Sequence, residues 1–229
     1  MNIKNHFTKR EFLLGAAGLS SMALSGCATR TMLPEPIVLK SKIEPTELFY
    51  VNQYGPLYEE KFPIPAVDLK KVDKRFYRQK VDYFSEEEIG TVIVDTQNFY
   101  LYLIEGNGRA MRYGVGLGRA GFEWSGRARI GWKQEWPKWT PPAEMIVRQP
   151  ELEPYSAANG GMPPGLTNPL GARALYIFQG KVDTLYRLHG SPEYWSIGKA
   201  VSSGCVRLMN QDIIDLYGRV RTHSTILVI

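Results

Sequence analysis

Two side chains near the carboxyl end of the sequence, His189 and Cys205, can together carry out nucleophilic catalysis. A cysteine attacks as its thiolate, and it needs a nearby imidazole to take the thiol proton and return it later. The oxyanion that then forms needs hydrogen-bond donors. The turn Ser202-Ser203-Gly204-Cys205 can supply them, because glycine permits a tight bend that exposes consecutive backbone N–H groups. A thiol activated in this way is expected to have a lowered pKa.

The same residues also have structural interpretations that compete with nucleophilic catalysis. Taken alone, His189 is commonly a hydrogen-bonded structural residue, and Cys205 an inert buried thiol. His223 stands in a predicted turn before the last strand and is interpreted as structural. Beyond residue 27, one thiol and two distant histidines match no usual zinc spacing, and the glycine-rich stretch 114–118 opens no βαβ unit. The sequence therefore predicts neither a metal nor an organic cofactor.

Strand-like runs must position the pair, and they dominate from Gly90 onwards. β-Branched and aromatic runs separated by Gly and Asn turns predict hairpins. The predicted strands are residues 91–94, 99–104, 109–115, 127–136, 174–178, 185–188 and 225–229. One helix is predicted after Asn210, which can cap it, with Asp212 at its positive end. Its apolar face consists of Ile213, Ile214, Leu216, Tyr217 and Val220. The fold class is a mostly-β sandwich or barrel-like domain with one or two short helices.

Two further kinds of segment complete this domain. Residues 136–142 and 159–165 are rich in Pro and Gly and predict loops, which are either functional or structural. Residues 28–89 are rich in proline and aromatic residues, which blocks long helices and central strands and predicts an extended arm. Its later part could pack on the domain through Phe76, Tyr77 and Tyr83, although a plain spacer is the preferred interpretation.

The first 27 residues predict a targeting signal. Lys4, Lys9 and Arg10 form a basic start, and residues 12–26 are apolar but shorter than the roughly 20 residues of a membrane-spanning helix. The end of the segment, Leu24-Ser25-Gly26-Cys27, resembles a bacterial lipobox, which predicts export and lipidation of Cys27. A simply cleaved signal, an uncleaved anchor, or a disulfide between Cys27 and Cys205 in the uncleaved chain are the alternatives. The start also resembles a twin-arginine signal, except that Lys9 replaces one arginine.

The composition agrees with an exported globular protein. The 229 residues are 44% hydrophobic and 22% charged, which excludes wholesale disorder. The net charge is +5, and no long block of Lys and Arg is present, so a nucleic-acid partner is not predicted. Membrane contact is expected only through the lipid anchor.

The motif His189-Gly190 followed by residues 202–208 resembles the signature of the L,D-transpeptidases, the YkuD-domain family of the periplasm. The resemblance extends over residues 90–229, because four upstream motifs are similar to those of the periplasmic members. These motifs are residues 139–142, 163–165, 168–171 and 174–176. Many members carry a second histidine where this chain has Ser203, and others have serine there.

The resemblance implies a peptidoglycan enzyme without a cofactor. Cys205 would attack the carbonyl of the third residue of a stem tetrapeptide, usually meso-diaminopimelate, release D-alanine and hold the stem as a thioester. His189 would be the general acid and base, the backbone near Gly204 the oxyanion site, and a backbone carbonyl near Gly190 or Ser191 would orient the imidazole. Candidate substrate-binding residues are Arg207, Ser202, Ser203, Tyr176, Trp139 and Met162, and Arg207 could instead brace the cysteine loop.

The acceptor of the acyl group is left open by the sequence. An amine gives a 3-3 cross-link or attachment to a protein, such as an outer-membrane protein. Water or a D-amino acid gives an L,D-carboxypeptidase or an exchange enzyme. A wall-binding lipoprotein without catalysis is the third alternative, and it predicts that replacing Cys205 by alanine changes nothing.

Overall fold

The computed structural model describes residues 45–118, 125–202 and 204–229. The predicted signal, Cys27, the first part of the arm and Ser203 lie outside these residues. The described chain contains eleven strands and three α-helices. The strands are β1 (Gln79–Asp82), β2 (Val92–Asp95), β3 (Tyr100–Gly106), β4 (Arg109–Gly114), β5 (Leu117–Gly118), β6 (Gly126–Glu135), β7 (Arg173–Gln179), β8 (Val182–Ser191), β9 (Ala200–Ser202), β10 (Val206–Met209) and β11 (Thr225–Val228). The helices are α1 (Pro45–Gln53), α2 (Ala143–Arg148) and α3 (Asn210–Arg219).

Nine of these strands form one mixed sheet in the order β1-β4-β3-β2-β11-β6-β7-β8-β10, and β5 pairs with β9. The two predicted hairpins are confirmed as β3–β4 and β7–β8. Two pairs in the large sheet are parallel, β2 with β11 and β8 with β10. The mostly-β prediction is therefore confirmed, with a mixed sheet whose parallel pairs the sequence analysis did not anticipate.

One hydrophobic core holds the sheet and α3 together. Every strand of the large sheet except β1 contributes a buried side chain to it, and α3 adds Ile213 and Leu216. The predicted apolar face of the helix is confirmed at these two positions. The predicted cap is wrong, because the helix begins at Asn210 itself. The capping position is Met209, whose side chain makes no capping hydrogen bond. The Asn210 amide is used elsewhere, as an acceptor for the backbone N–H of Ala172 at 3.0 Å.

The described part of the arm is folded onto the domain. Phe76 and Tyr77 are buried with Tyr54 in a second cluster that includes Met209 at the end of β10. Strand β1 extends the sheet beside β4. Tyr83 is only partly buried and stacks on Tyr102 of β3 at 4.4 Å between ring centroids. The plain-spacer interpretation is wrong for this part of the arm, because proline excludes long helices but not short elements that bury aromatic side chains.

Polar contacts also join the arm to the rest of the fold. The Tyr54 hydroxyl donates to the buried carboxylate of Asp212 in α3 at 3.2 Å. Arg173 of β7 makes two hydrogen bonds to Glu60, at 2.7 and 2.9 Å, and both side chains are largely buried. Within the described residues, no helix combines the length and apolar character that crossing a membrane requires.

Candidate active site

Parallel pairing of β8 with β10 brings the two catalytic candidates together. Arg207 is opposite His189, and Val206 is opposite Leu188. Continuing this register by one residue places Cys205, which immediately precedes β10, opposite Arg187. Residues in register share a face of a sheet, and so do residues two apart along a strand. Cys205 and His189 therefore project from the same face, opposite to the face that buries Leu188 and Val206 in the core.

His189 is held as a neutral base. Its ring is buried, and Nδ1 lies 2.6 Å from the backbone carbonyl oxygen of Gly190. A carbonyl only accepts, so Nδ1 carries the hydrogen and Nε2 presents a lone pair. The pKa of His189 is lowered to about 4, chiefly by burial; the Gly190 hydrogen bond opposes this decrease, and the positive charges of Arg207 and Arg187 contribute to it. The imidazole can therefore accept a proton at neutral pH.

The thiol of Cys205 is not a preformed thiolate. Burial raises its pKa above the ordinary value of 9.0, because the charged form loses hydration. A backbone hydrogen bond from Arg187 and the charges of Arg187 and Arg207 lower the pKa, but burial is the largest influence. Both guanidinium groups are engaged elsewhere, with Asp183 at 2.7 and 2.8 Å and with Glu193 at 2.7 Å. The expectation of a lowered cysteine pKa is therefore wrong.

The turn before the cysteine depends on Gly204. Its φ is +127°, a conformation that L side chains rarely adopt. A Cβ at this position would also lie 3.2 Å from the ring of Tyr186, tighter than ordinary contact. Glycine thus satisfies both the backbone and the space beside β8. Ser202 ends β9, and Ser203 lies outside the described residues.

The carbonyl that holds His189 is positioned by tight packing beneath it. Gly190 faces α3, where any side chain would meet the amide of Asn210 and come within 2.9 Å of Ile213. Of the two proposed carbonyls, Gly190 supplies the one that bonds the imidazole. The Ser191 hydroxyl accepts the backbone N–H of Glu193 at 3.1 Å. The sequence predicts Asn210 only as a helix cap, because no local pattern indicates that its amide packs beside Gly190.

An aromatic and cationic row continues from the cysteine across the sheet. Tyr176 is opposite Arg187, whose guanidinium lies 4.3 Å from the ring centroid. Trp132 is opposite Tyr176, with 4.4 Å between ring centroids. The structure thus places Tyr176 on the site's face of the sheet. The sequence analysis missed Trp132, because its pairing with Tyr176 on a strand distant in sequence follows only from the register of β6 and β7.

Trp139 and Met162 are brought to each other. Two backbone hydrogen bonds join them, at 3.0 and 2.7 Å, across the two predicted loops. The buried side chain of Asn168 holds the same loops by donating to the carbonyl oxygens of Pro137 and Pro163. Among residues 45–118, 125–202 and 204–229, no cluster of three or more His, Cys, Asp or Glu side chains could hold a metal ion.

Comparison with known proteins identifies the family of this domain. The model of the YkuD family, "L,D-transpeptidase catalytic domain", matches residues 89–229. "Probable L,D-transpeptidase YbiS" of Escherichia coli K12 is 34% identical over 136 residues, covering 57% of this chain and 41% of that protein. "Probable L,D-transpeptidase ErfK/SrfK" of the same strain is 30% identical over 143 residues, covering 60% and 43%. The chain thus spans less than half the length of these curated relatives.

One solved structure is more similar in sequence but carries another name. The "Probable carnitine operon oxidoreductase caia" from Brucella melitensis is 42% identical, covering 67% of this chain and 94% of that chain, with a TM-score of 0.47. That name describes the Brucella protein. The domain match and both curated relatives name an L,D-transpeptidase.

Proposed function

Because this chain belongs to the YkuD family of L,D-transpeptidase catalytic domains, we propose that it acts on peptidoglycan stem peptides through Cys205. The sulfur attacks the carbonyl of the third residue of a stem tetrapeptide, meso-diaminopimelate, while Nε2 of His189 takes the thiol proton. The tetrahedral intermediate then breaks its bond to the terminal D-alanine. That amine leaves with the proton from His189, and the stem remains as a thioester.

The second half of the reaction uses the same groups in reverse. An acceptor amine attacks the thioester carbonyl and gives a proton to His189. The carbon–sulfur bond breaks, and the imidazolium returns the proton to the sulfur. The backbone N–H groups at Gly204 and Cys205 are the proposed oxyanion donors.

A single observation carries this proposal: β10, which begins directly after Cys205, pairs with β8 at His189, whose Nδ1 bonds the Gly190 carbonyl. This carbonyl takes the orienting role that a carboxylate has in other triads. A neutral carbonyl partner stabilises an imidazolium less than a carboxylate does, which agrees with the low pKa of His189. The proton therefore moves during attack rather than before it.

Arg207 is proposed to brace the cysteine loop rather than to bind substrate. Its guanidinium donates to Glu193 at 2.7 Å, which ties β10 to the turn after β8. Its backbone N–H and carbonyl both bond Gly116, at 2.8 and 2.9 Å. Residues 114–118, dismissed as a nucleotide loop, thus flank the strand that follows the nucleophile. Tyr176 remains a proposed substrate contact, because it stands on the face of the site.

The test follows the acyl-enzyme directly. The full chain is incubated with a disaccharide-tetrapeptide, and protein and products are followed by mass spectrometry beside Cys205→Ala. We expect an adduct of the donor minus D-alanine on the unmodified protein and none on the variant. Cross-linked product identifies an amine acceptor, whereas a tripeptide or exchanged product identifies water or a D-amino acid. A folded protein without adduct or D-alanine release would contradict the proposal and favour a wall-binding role.

We also propose that residues 1–27 direct export to the periplasm and that Cys27 carries a lipid anchor. The support is the basic start, the short apolar core and the lipobox-like end of this segment. Radiolabelled palmitate should enter the protein in bacterial cells and should be lost in Cys27→Ser. Soluble, unlabelled protein in the periplasm would instead indicate a simply cleaved signal.

A further inference from the structure

The row of side chains that begins at the nucleophile ends at an exposed tryptophan. Arg187, Tyr176 and Trp132 are consecutive across β8, β7 and β6 on one face of the sheet, and the register of β10, continued by one residue, places Cys205 next to Arg187. Tyr176 lies between the other two large groups, 4.3 Å from the Arg187 guanidinium and 4.4 Å from the Trp132 ring. Arg187 is itself fixed by two hydrogen bonds to Asp183. The row therefore supports Trp132 from one side.

Trp132 is nevertheless half exposed, with 51% of its surface accessible. An exposed indole whose orientation is already fixed loses little conformational entropy when a ligand stacks on it. The negative face of an aromatic ring attracts positively polarised C–H groups, which the faces of pyranose rings present in a flat array. Gln134, two residues along on the same face of β6, adds an amide that can hydrogen-bond hydroxyl groups.

The distance from Trp132 to the nucleophile matches the proposed donor. Neighbouring strands lie about 4.8 Å apart, so three strand spacings separate Trp132 from Cys205 by about 14 Å. An extended peptide advances about 3.3–3.6 Å per residue, so the three stem residues before the scissile bond span about 10 Å. The lactyl group that joins the stem to its sugar accounts for most of the remainder. A donor with its third carbonyl at Cys205 can thus place its sugar on Trp132.

We propose that Trp132 forms a carbohydrate subsite, on which a pyranose ring of the glycan stacks when its stem peptide enters the active site. This inference rests on the proposed function, because the span is measured from the carbonyl that Cys205 attacks. It distinguishes donors attached to a glycan from free stem peptides. The wall-bound substrate, rather than a released peptide, is then the preferred donor.

The kinetic test compares two donors, a disaccharide-tetrapeptide and a free tetrapeptide. Trp132→Leu keeps an apolar cover on Tyr176 but removes the ring, and we expect about a threefold to tenfold rise in KM for the disaccharide donor only. Trp132→Phe should restore much of the loss. Phe84→Leu is the matched control, since Phe84 is 90% exposed and lies beyond β1, at the opposite edge of the sheet. An equal effect on both donors, or on neither, would overturn the subsite.

A binding measurement makes the subsite testable without turnover. The disaccharide without peptide is added to Cys205→Ala protein, and saturation-transfer NMR records contact between the sugar C–H groups and the protein. We expect a signal that disappears in the Cys205→Ala, Trp132→Leu double variant and persists in Cys205→Ala, Phe84→Leu. A signal with no adduct formation in the unmodified protein would contradict the transpeptidase proposal alone. No signal, or one unaffected by Trp132→Leu, would refute the carbohydrate subsite.

Discussion

Cys205 and His189 are predicted to rest as a neutral thiol and a neutral imidazole. The pKa of His189 is about 4, and burial raises that of Cys205 above 9.0. The pKa of the imidazole therefore lies well below that of the thiol, and each pH unit of separation corresponds to about 1.4 kcal/mol. The attraction between the two charges reduces this difference, but a separation this large keeps the ionised pair the minor form at neutral pH. This pair therefore differs from a cysteine protease that stores a thiolate.

Two pH profiles test this conclusion on the full chain. Alkylation of Cys205 by iodoacetamide, followed by intact mass, should increase about tenfold per pH unit from pH 6 to 9 without a plateau. Acylation by the disaccharide-tetrapeptide should be nearly independent of pH between 5 and 8, since His189 is unprotonated over that range. It should fall to half near pH 4, where the imidazole gains a proton.

The His189→Asn variant provides the control. Its alkylation profile should remain close to that of the unmodified protein, because burial and the two arginines determine the thiol pKa. Its acylation rate should fall by about 10²–10⁴-fold, the usual contribution of a general base. An alkylation midpoint below pH 7 that moves upward in His189→Asn would refute the neutral pair and indicate a stored thiolate–imidazolium pair.

Three further variants test the packing around the site. Gly190→Ala should lower the free energy of unfolding in urea titrations by about 1–3 kcal/mol and the acylation rate in mass assays by about 100-fold, because the new methyl group collides with α3. Gly218→Ala should lower neither, because a methyl group at this position of α3 meets open space. Burial raises the pKa of Asp212 to about 7, so ionisation of this carboxyl lowers the free energy of unfolding as pH rises from 4 to 7. The lowered pKa of His189 has the opposite effect, and it increases the free energy of unfolding as pH rises from about 4 to 6.5. Asp212→Asn should therefore leave a free energy of unfolding that rises by about 3 kcal/mol over pH 4–6.5, and a slope equal to that of the unmodified protein would contradict the raised pKa. Glu60→Gln removes one charge of a largely buried ion pair and should cost about 3 kcal/mol in chemical denaturation; a cost below about 0.5 kcal/mol would show that the arm is not held there.

Seven of the eleven described strands, and both hairpins, follow from local sequence, whereas β1, β5, β9 and β10 were not predicted. Alternating β-branched and aromatic residues predict β2, β3, β6 and β7, and the Gly-Asn turn at residues 106–108 predicts the first hairpin. Such patterns arise because neighbouring residues in a strand face opposite sides of the sheet. The candidate pair was also evident, since residues 28–229 contain one cysteine and two histidines.

Long-range packing decided the features that the sequence analysis missed. Tyr54 reaches across 158 positions to bond Asp212, a contact that no local pattern encodes. The described arm is folded because its aromatic side chains find apolar partners in Met209 of β10 and in Ile197, in the segment between β8 and β9. Proline density, a local property, predicts only that no long regular element forms there.

The electrostatic state of the site is likewise a tertiary property. The spacing of His189 and Cys205 indicated an activated thiol, but pKa depends on burial and on charges that other strands deliver. The two arginines beside Cys205 are engaged by Asp183 and Glu193. The sequence by itself therefore determined which residues can react. Only the tertiary structure decided how they are protonated, because desolvation and ion pairing arise when distant segments pack together.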